Sequence, residues 1–248
     1  DLGFRYTADT FDDLIALASK KRLSHIQMLE HIAKHETADR ARRSVESRLS
    51  RSKIGRFKPI ADFDWSWPTR IDRDAVEAAL RLDFLERSGN LVLVAPQGLG
   101  KTTIAKNIAH NAVLKGSSTL AISAAQMLLD LSSQDSARAL ERRLRHYQRP
   151  ALLVIDEIGY LSYDSRNADL FFQVVSRRYE QKSLLLTTNL AFSDWPTIFP
   201  NATCATALSN TSMSRSVARK VTVSPSASIS TLARIGMVFR RSTTDCAC

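Results

Sequence analysis

Apolar residues recur at helical spacing over residues 10–35, where Leu14, Leu17 and Ala18 are followed by Ile26, Leu29, Ile32 and Ala33. Just beyond, Ala38, Ala41, Val45 and Leu49 share one side of a helical wheel. Arg40, Arg43, Arg48 and Arg51 share roughly the opposite side, so this segment reads as an amphipathic helix with an arginine face. The stretch Ile60-Ala61-Asp62-Phe63-Asp64-Trp65-Ser66-Trp67-Pro68 is aromatic and turn-rich, and reads as a linker that packs onto the next unit. Residues 72–85 return to helical periodicity. From Asn90 the rhythm changes to alternating strands and helices. Strands are expected at 91–94, 119–123, 151–155 and 184–188, and helices at 101–114, 124–131, 137–147 and 167–180. The run at 151–155 is wholly apolar, as a buried parallel strand should be. The alternation predicts an α/β fold, a parallel sheet with helices on both faces, preceded by a small helical N-terminal domain.

Composition excludes several classes. Of 248 residues, 44% are hydrophobic and 24% charged, which are globular values rather than those of a disordered or collagenous chain. No apolar run approaches a membrane span, so no membrane partner is expected. Residues 1–10 show no signal-peptide pattern, and without an initiator Met the chain is expected to be a fragment or processed. Cys204, Cys246 and Cys248 form no C-x-x-C pair and no Cys/His metal spacing, which argues for a reducing, cytoplasmic setting. Formal charge is +10, which suggests a polyanionic partner. The surplus is uneven. Residues 37–58 hold eight basic residues against Asp39 and Glu46, and residues 209–248 hold six against Asp245.

The sharpest chemical signal is Ala95-Pro96-Gln97-Gly98-Leu99-Gly100-Lys101-Thr102, with Thr103 following, between an apolar strand and a helix. That is the context of a phosphate-binding loop, whose glycines let backbone N–H groups converge on phosphate oxygens beside the positive end of a helix. Lys101 would reach the β- and γ-phosphates of ATP, and the Thr102 hydroxyl would ligate Mg²⁺. Ala95 stands where the pattern has its first glycine, a departure tolerable at negative φ. In Leu152-Leu153-Val154-Ile155-Asp156-Glu157, a buried strand delivers two carboxylates to its C-terminal end, where open parallel sheets bind ligands. Asp156 would hold the Mg²⁺ shell and Glu157 would activate the attacking water. Leu184-Leu185-Leu186-Thr187-Thr188-Asn189 ends a third strand in an amide, and Asn189 could position that water.

Other features carry less. His31 and His35 lack the glutamate of a metalloprotease signature and are expected on a helix surface. The sequon Asn201-Ala202-Thr203 is a chance match. Arg177 and Arg178 could reach a neighbouring subunit's nucleotide or complement a helix C-terminus, the second being favoured.

Together with Ile158-Gly159-Tyr160-Leu161, Arg177-Arg178-Tyr179-Glu180, Thr187-Thr188-Asn189-Leu190 and Phe192-Ser193-Asp194-Trp195, these motifs resemble the IstB-type helper ATPases of insertion sequences. Those are relatives of the DnaC helicase loader in the AAA+ class of P-loop NTPases. The likeness spans residues 10–208, including Asp62-Phe63-Asp64-Trp65 and the basic helix. It implies Mg²⁺-dependent ATP hydrolysis, homo-oligomeric assembly on duplex DNA and recruitment of a transposase. Lys101, Glu157 and Asn189 would be catalytic, residues 95–103 would hold ATP, and Thr102 and Asp156 would hold the metal. Arg40, Arg43, Arg48 and Arg51 would contact DNA phosphates. The alternatives are a DnaC-like helicase loader, or an ATP- and DNA-binding module with weak or no turnover.

The resulting division is a helical basic N-terminal domain at 1–58, an AAA+ core at 59–208 and an atypical tail at 209–248. The tail is rich in Ser, Thr and Arg. The family would continue after Leu208 with an Asp-Arg-Leu-like string, a last core strand and a Gly-x-Ser-Tyr-Arg-like end, whose arginine reaches the neighbouring subunit's ATP. A frameshift near codon 208 would account for the change, and the gene's nucleotide sequence decides it. Permitted codons for Arg219-Lys220-Val221-Thr222-Val223, CGG AAA GTT ACC GTC, read two bases later as Glu-Ser-Tyr-Arg. On this reading the sheet loses a strand and hydrolysis is impaired, since a finger arginine is worth ~10³-fold. Disorder is expected beyond about residue 212, with Val221 and Val223 the tail's one strand-like signal.

Overall fold

The computed structural model describes residues 3–66, 70–159, 164–191, 194–195 and 219–224, with backbone alone for Arg70 and for 219–224. Outside it lie Trp67, Pro68, Tyr160, Leu161, Phe192 and Ser193. The three cysteines, the sequon and the rest of the tail also lie outside it.

Three helices open the chain: α1 (Arg5–Asp9), α2 (Phe11–Lys21) and α3 (His25–Ser52). The helix expected at 10–35 is broken. Arg22 takes a left-handed conformation, φ 49°, and Ser24 starts a new helix with a reciprocal cap. The Ser24 hydroxyl accepts from Gln27 N–H, while the Gln27 side chain accepts from Ser24 N–H. From there α3 runs without interruption through the basic segment. A 3-10 turn (Ile60–Asp62) leads to β1 (Arg70–Ile71), α4 (Arg73–Arg81) and α5 (Asp83–Glu86). Leu82, at φ 70°, divides the helix expected at 72–85.

Beyond it alternate β2 (Leu91–Val94), α6 (Lys101–Leu114), β3 (Thr119–Ser123), α7 (Ala124–Ser132) and α8 (Ala137–Gln148). They are followed by β4 (Leu152–Ile158), α9 (Ser165–Arg178), β5 (Ser183–Thr188) and β6 (Arg219–Ser224). The sheet order is β1-β6-β2-β5-β4-β3. All neighbours pair parallel except β1 with β6. The expectation that the sheet loses its last strand is therefore corrected. Arg219–Thr222 pair with Leu91–Val94, completing the free side of β2. The backbone of β2 has donors and acceptors on both sides, and a strand on its second side satisfies them.

Strand alternation sorts the core into two layers. Val92, Val94, Leu153, Ile155, Leu184 and Leu186 pack against α7, α8 and α9. Leu91, Leu93, Leu152, Val154 and Leu185 pack against α4 and α6. Each such buried aliphatic side chain contributes about 1.5–3 kcal/mol, so the sheet edge above them stands on a rigid base. Ile54 joins the second layer, which ties the end of α3 to the core.

Candidate nucleotide-binding site

The C-terminal ends of β2, β5 and β4 lie side by side, bringing all three motifs to one edge. Gly98 and Gly100 have φ of 77° and 81°, so both need the freedom of glycine. Gly100 caps α6 in the left-handed conformation. Ala95 is not among the residues with positive φ, and its N–H donates to Thr188 O at 3.1 Å. Alanine at the first loop position thus costs no strain.

Lys101 is only 7% exposed, and its Nζ donates to Pro96 O within the loop at 2.7 Å. Burial pushes the ammonium's pKa down, while Asp156 and Glu157 pull it back up. The Thr102 hydroxyl lies 3.2 Å from Asp156 Oδ1, linking the loop helix to the acidic strand end. The Thr187 hydroxyl also donates to Asp156 Oδ1, and accepts from Glu157 N–H at 2.9 Å. Glu157 is exposed with φ 64°. Asn189 follows β5, its turn held by Leu190 N–H donating to Thr188 Oγ1 at 3.1 Å. Its Oδ1 is buried without a hydrogen-bond partner among the described residues. A buried orphan acceptor is costly unless something fills it, and a positioned water would.

These residues fit MgATP. A Cβ on Gly98 would meet nothing within 4 Å, so the loop has open space beside it. Carboxylate and hydroxyl oxygens are the hard donors that Mg²⁺ prefers.

The linker reaches this site too. A Cβ on Gly100 would stand 2.5 Å from Phe63 Cε2, so the Phe63 ring lies directly on the loop. Phe63 meets Trp65 edge-on at 4.9 Å, and Arg73 covers Trp65 at 4.8 Å. Asn107, one turn beyond Thr103 on α6, accepts from Ile60 N–H and donates to Lys58 O and Thr103 O. Thr187 and Phe63 stand in strings that carry the family resemblance but have no role assigned from the sequence, and Asn107 has no signal there. The bonds of Thr187 and Asn107 depend on pairings far apart in the chain, which local pattern does not show.

The model of IstB-like ATP binding protein matches residues 1–223. The chain belongs to this IstB-like family. It is 34% identical to the ATP-binding protein of insertion sequence IS21 from Pseudomonas aeruginosa, over 79% of this chain and 74% of that one. With the ATP-binding protein of insertion sequence IS5376 from Geobacillus stearothermophilus it shares 32% over 81% and 80%. Among solved structures, DnaI superposes with a TM-score of 0.55 at 18% identity, covering 69% of this chain and 93% of that one. The DnaC helicase loader gives 0.51 at 15%, covering 69% and 96%. The fold is that of an AAA+ P-loop domain. The family match extends past Leu208 and includes most of β6.

Other motifs of this IstB-like chain take different places. Arg178 is fully buried and donates to Tyr147 O, Gln148 O, Pro150 O, Ala151 O and Ser183 O. It complements the C-terminus of α8 rather than that of its own helix. Burial lowers its pKa to about 9, which leaves it charged at neutral pH. Arg177 grips both oxygens of Glu141 at 3.0 and 2.8 Å. His31 and His35 are half-buried on α3: His35 stacks on Tyr6 at 5.2 Å, and His31 meets His35 at 4.2 Å with its ring tilted by 44°.

The four arginines expected to contact DNA do not form one open stripe. Arg40 lies against Gly3 O and the Phe4 ring, and Arg43 pairs with Asp39 at 2.6 Å. Arg48 donates to Val113 O at 3.2 Å, holding α3 to the end of α6. Arg51 is exposed, and among the described residues it is seen bonding its own helix, at Ser47 O. Ala38 and Ala41 are exposed, whereas the expected polar side is partly covered by the N-terminal segment and α6. Arg42, outside the expected set, has a side chain 62% exposed and bonds Asp39 and Glu46. No helix among the described residues is long and apolar enough to cross a membrane.

Proposed function

We propose that this chain is a Mg²⁺-dependent ATPase that assembles as a homo-oligomer on duplex DNA in the cytoplasm and assists a transposase. The observation that carries the catalytic reading is the 3.2 Å contact between Thr102 Oγ1 and Asp156 Oδ1, with the unsatisfied Asn189 Oδ1 on the neighbouring strand end. Mg²⁺ would neutralise charge developing on the β- and γ-phosphates. Thr102 and Asp156 hold it, Lys101 binds phosphate, Glu157 takes the water's proton and Asn189 orients that water. The basic surface supplies sequence-independent, salt-sensitive attraction to DNA.

The transposition role rests on relatives named for insertion sequences, at twice the identity of the helicase loader. A module with weak turnover is the second reading, favoured by the unusual composition of residues 209–248. ATP turnover measured with and without duplex DNA separates the two. DNA-stimulated hydrolysis supports the ATPase, and nucleotide binding without turnover supports the module. Stimulation of strand transfer by the transposase encoded beside the gene tests the partner, and no effect on it would remove that part.

A further inference from the structure

The β4–β5 ladder breaks at one place. Ile155 pairs with Leu186 and Ile158 with Thr188, so Asp156 and Glu157 together stand opposite the single residue Thr187. This is a bulge, a device that re-aims side chains and is seldom found between parallel strands. Ile155 and Ile158 consequently pack into the same layer although they are three apart. If the same sequence were paired in a regular ladder, Glu157 would fall on the face of Ile155, and Ile158 would leave that layer.

The bulge has a visible latch. Thr187 is fully buried, and its hydroxyl is the one polar side-chain group on β5 seen bonding both bulge residues. It accepts from Glu157 N–H and donates to the Asp156 carboxylate. Glu157 at φ 64° occupies a conformation that side-chain-bearing residues rarely adopt, costing about 1–3 kcal/mol. Such strain persists only where surrounding groups hold it. Thr187 holds the strained residue and the metal-binding candidate with one oxygen, two residues before Asn189 on the same strand.

We infer that Thr187 is a positioning residue of the ATPase site, whose hydroxyl fixes the Asp156–Glu157 bulge and so aims the Glu157 carboxylate at the attacking water. This rests on the ATPase reading for its catalytic consequence, but not for its structural one. The other side chains of the strand's run Leu184-Leu185-Leu186 are packing groups. A valine at 187 would fill the same volume without the hydroxyl, and a serine would keep the hydroxyl without the methyl.

Two measurements on the full chain test it. In nucleotide-free protein, hydrogen exchange at the Glu157 amide should rise ~10-fold or more in Thr187→Val and stay near wild type in Thr187→Ser. With MgATP, Thr187→Val should lose ~10-fold or more in kcat while KM changes less than ~3-fold, with Thr187→Ser largely restored. Unchanged exchange and kcat in Thr187→Val overturns the inference, as does a Thr187→Ser variant as damaged as Thr187→Val. If the wild type shows no turnover, the ATPase reading fails separately, and exchange alone decides whether Thr187 fixes the bulge. A general loss of fold would raise exchange throughout β4 and β5 rather than at Glu157, and would also count against it.

Discussion

Thr102 and Asp156 stand on different elements, one opening α6 and the other near the end of β4, yet their side-chain oxygens approach to 3.2 Å. Strand order makes this contact possible, since β5 alone separates β2 from β4. The phosphate loop and the acidic strand end therefore form one site.

On the ATPase reading Lys101 is the cation that meets the phosphates, and it is held in the loop by burial and by its bond to Pro96 O. Lys101→Ala should lower kcat for ATP by about 100-fold or more, as loss of a preorganised charge does. Steady-state phosphate release against wild type checks this.

Glu157 is exposed, and among the described residues no hydrogen bond or ion pair of its carboxylate is seen that Gln would break. Glu157→Gln should keep ATP affinity and lose about 10²–10⁴-fold in turnover, the range for a missing general base. Equilibrium nucleotide binding beside single-turnover hydrolysis separates the two effects.

At Gly100 both backbone and space exclude a side chain, given φ 81° and the Phe63 ring 2.5 Å from a would-be Cβ. Gly100→Ala should cost about 1–3 kcal/mol of stability through overpacking and weaken nucleotide binding. Phe63→Ala in the same chain should recover part of the stability, because it removes the clash and leaves only the strained φ. Denaturant titration of the single and double variants measures that recovery.

Much of this was legible in the sequence. The limits of β2 and β3 follow from apolar runs bounded by turns, and the site motifs lie in local strings of fixed spacing. What local pattern could not show depends on pairings between distant segments. The break at Arg22–Ser24 did have a signal, Ser24 followed by Gln27 at the spacing of a capping box. The continuity of α3 hid it. Tail strand β6 was masked by Ser, Thr and Arg, with only Val221 and Val223 in alternation. It forms because β2 offers an open parallel partner. The gene's nucleotide sequence tests the frameshift directly, and a shifted frame with no family-like end would discard it.

The arginine helix differs from a helical wheel in its facing, because the segment before α1 and the end of α6 cover part of the side that a wheel assigns to solvent. This gives separable expectations for two residues. Arg48→Ala should lose stability on the order of 1 kcal/mol, as for a typical hydrogen bond. Arg51→Ala should leave stability unchanged and lower the salt slope of DNA binding by about 0.9, one phosphate contact. Binding isotherms at several salt concentrations, beside melting curves, distinguish these outcomes.

Glu141 sets the acid behaviour of the α8–α9 contact. Hydrogen bonds from Arg177, then Arg145, hold its pKa at about 2 against an ordinary 4.5. A lowered carboxylate pKa contributes stability that is present above pH 4.5 and is lost as pH falls toward 2. The wild type should therefore lose its advantage over Glu141→Gln through that window. Because the pair is exposed to solvent, the difference should be small and reduced by salt. Paired urea titrations at several pH values follow it.

The central claim is that the edge formed by residues 95–103, Asp156, Glu157 and Asn189 is a nucleotide site. Calorimetric titration of MgATP into the wild type and Lys101→Ala tests it most directly. The account predicts one saturable site per chain in the wild type and clearly weaker binding in Lys101→Ala. No binding to the folded wild type, or equal binding to both proteins, would contradict it.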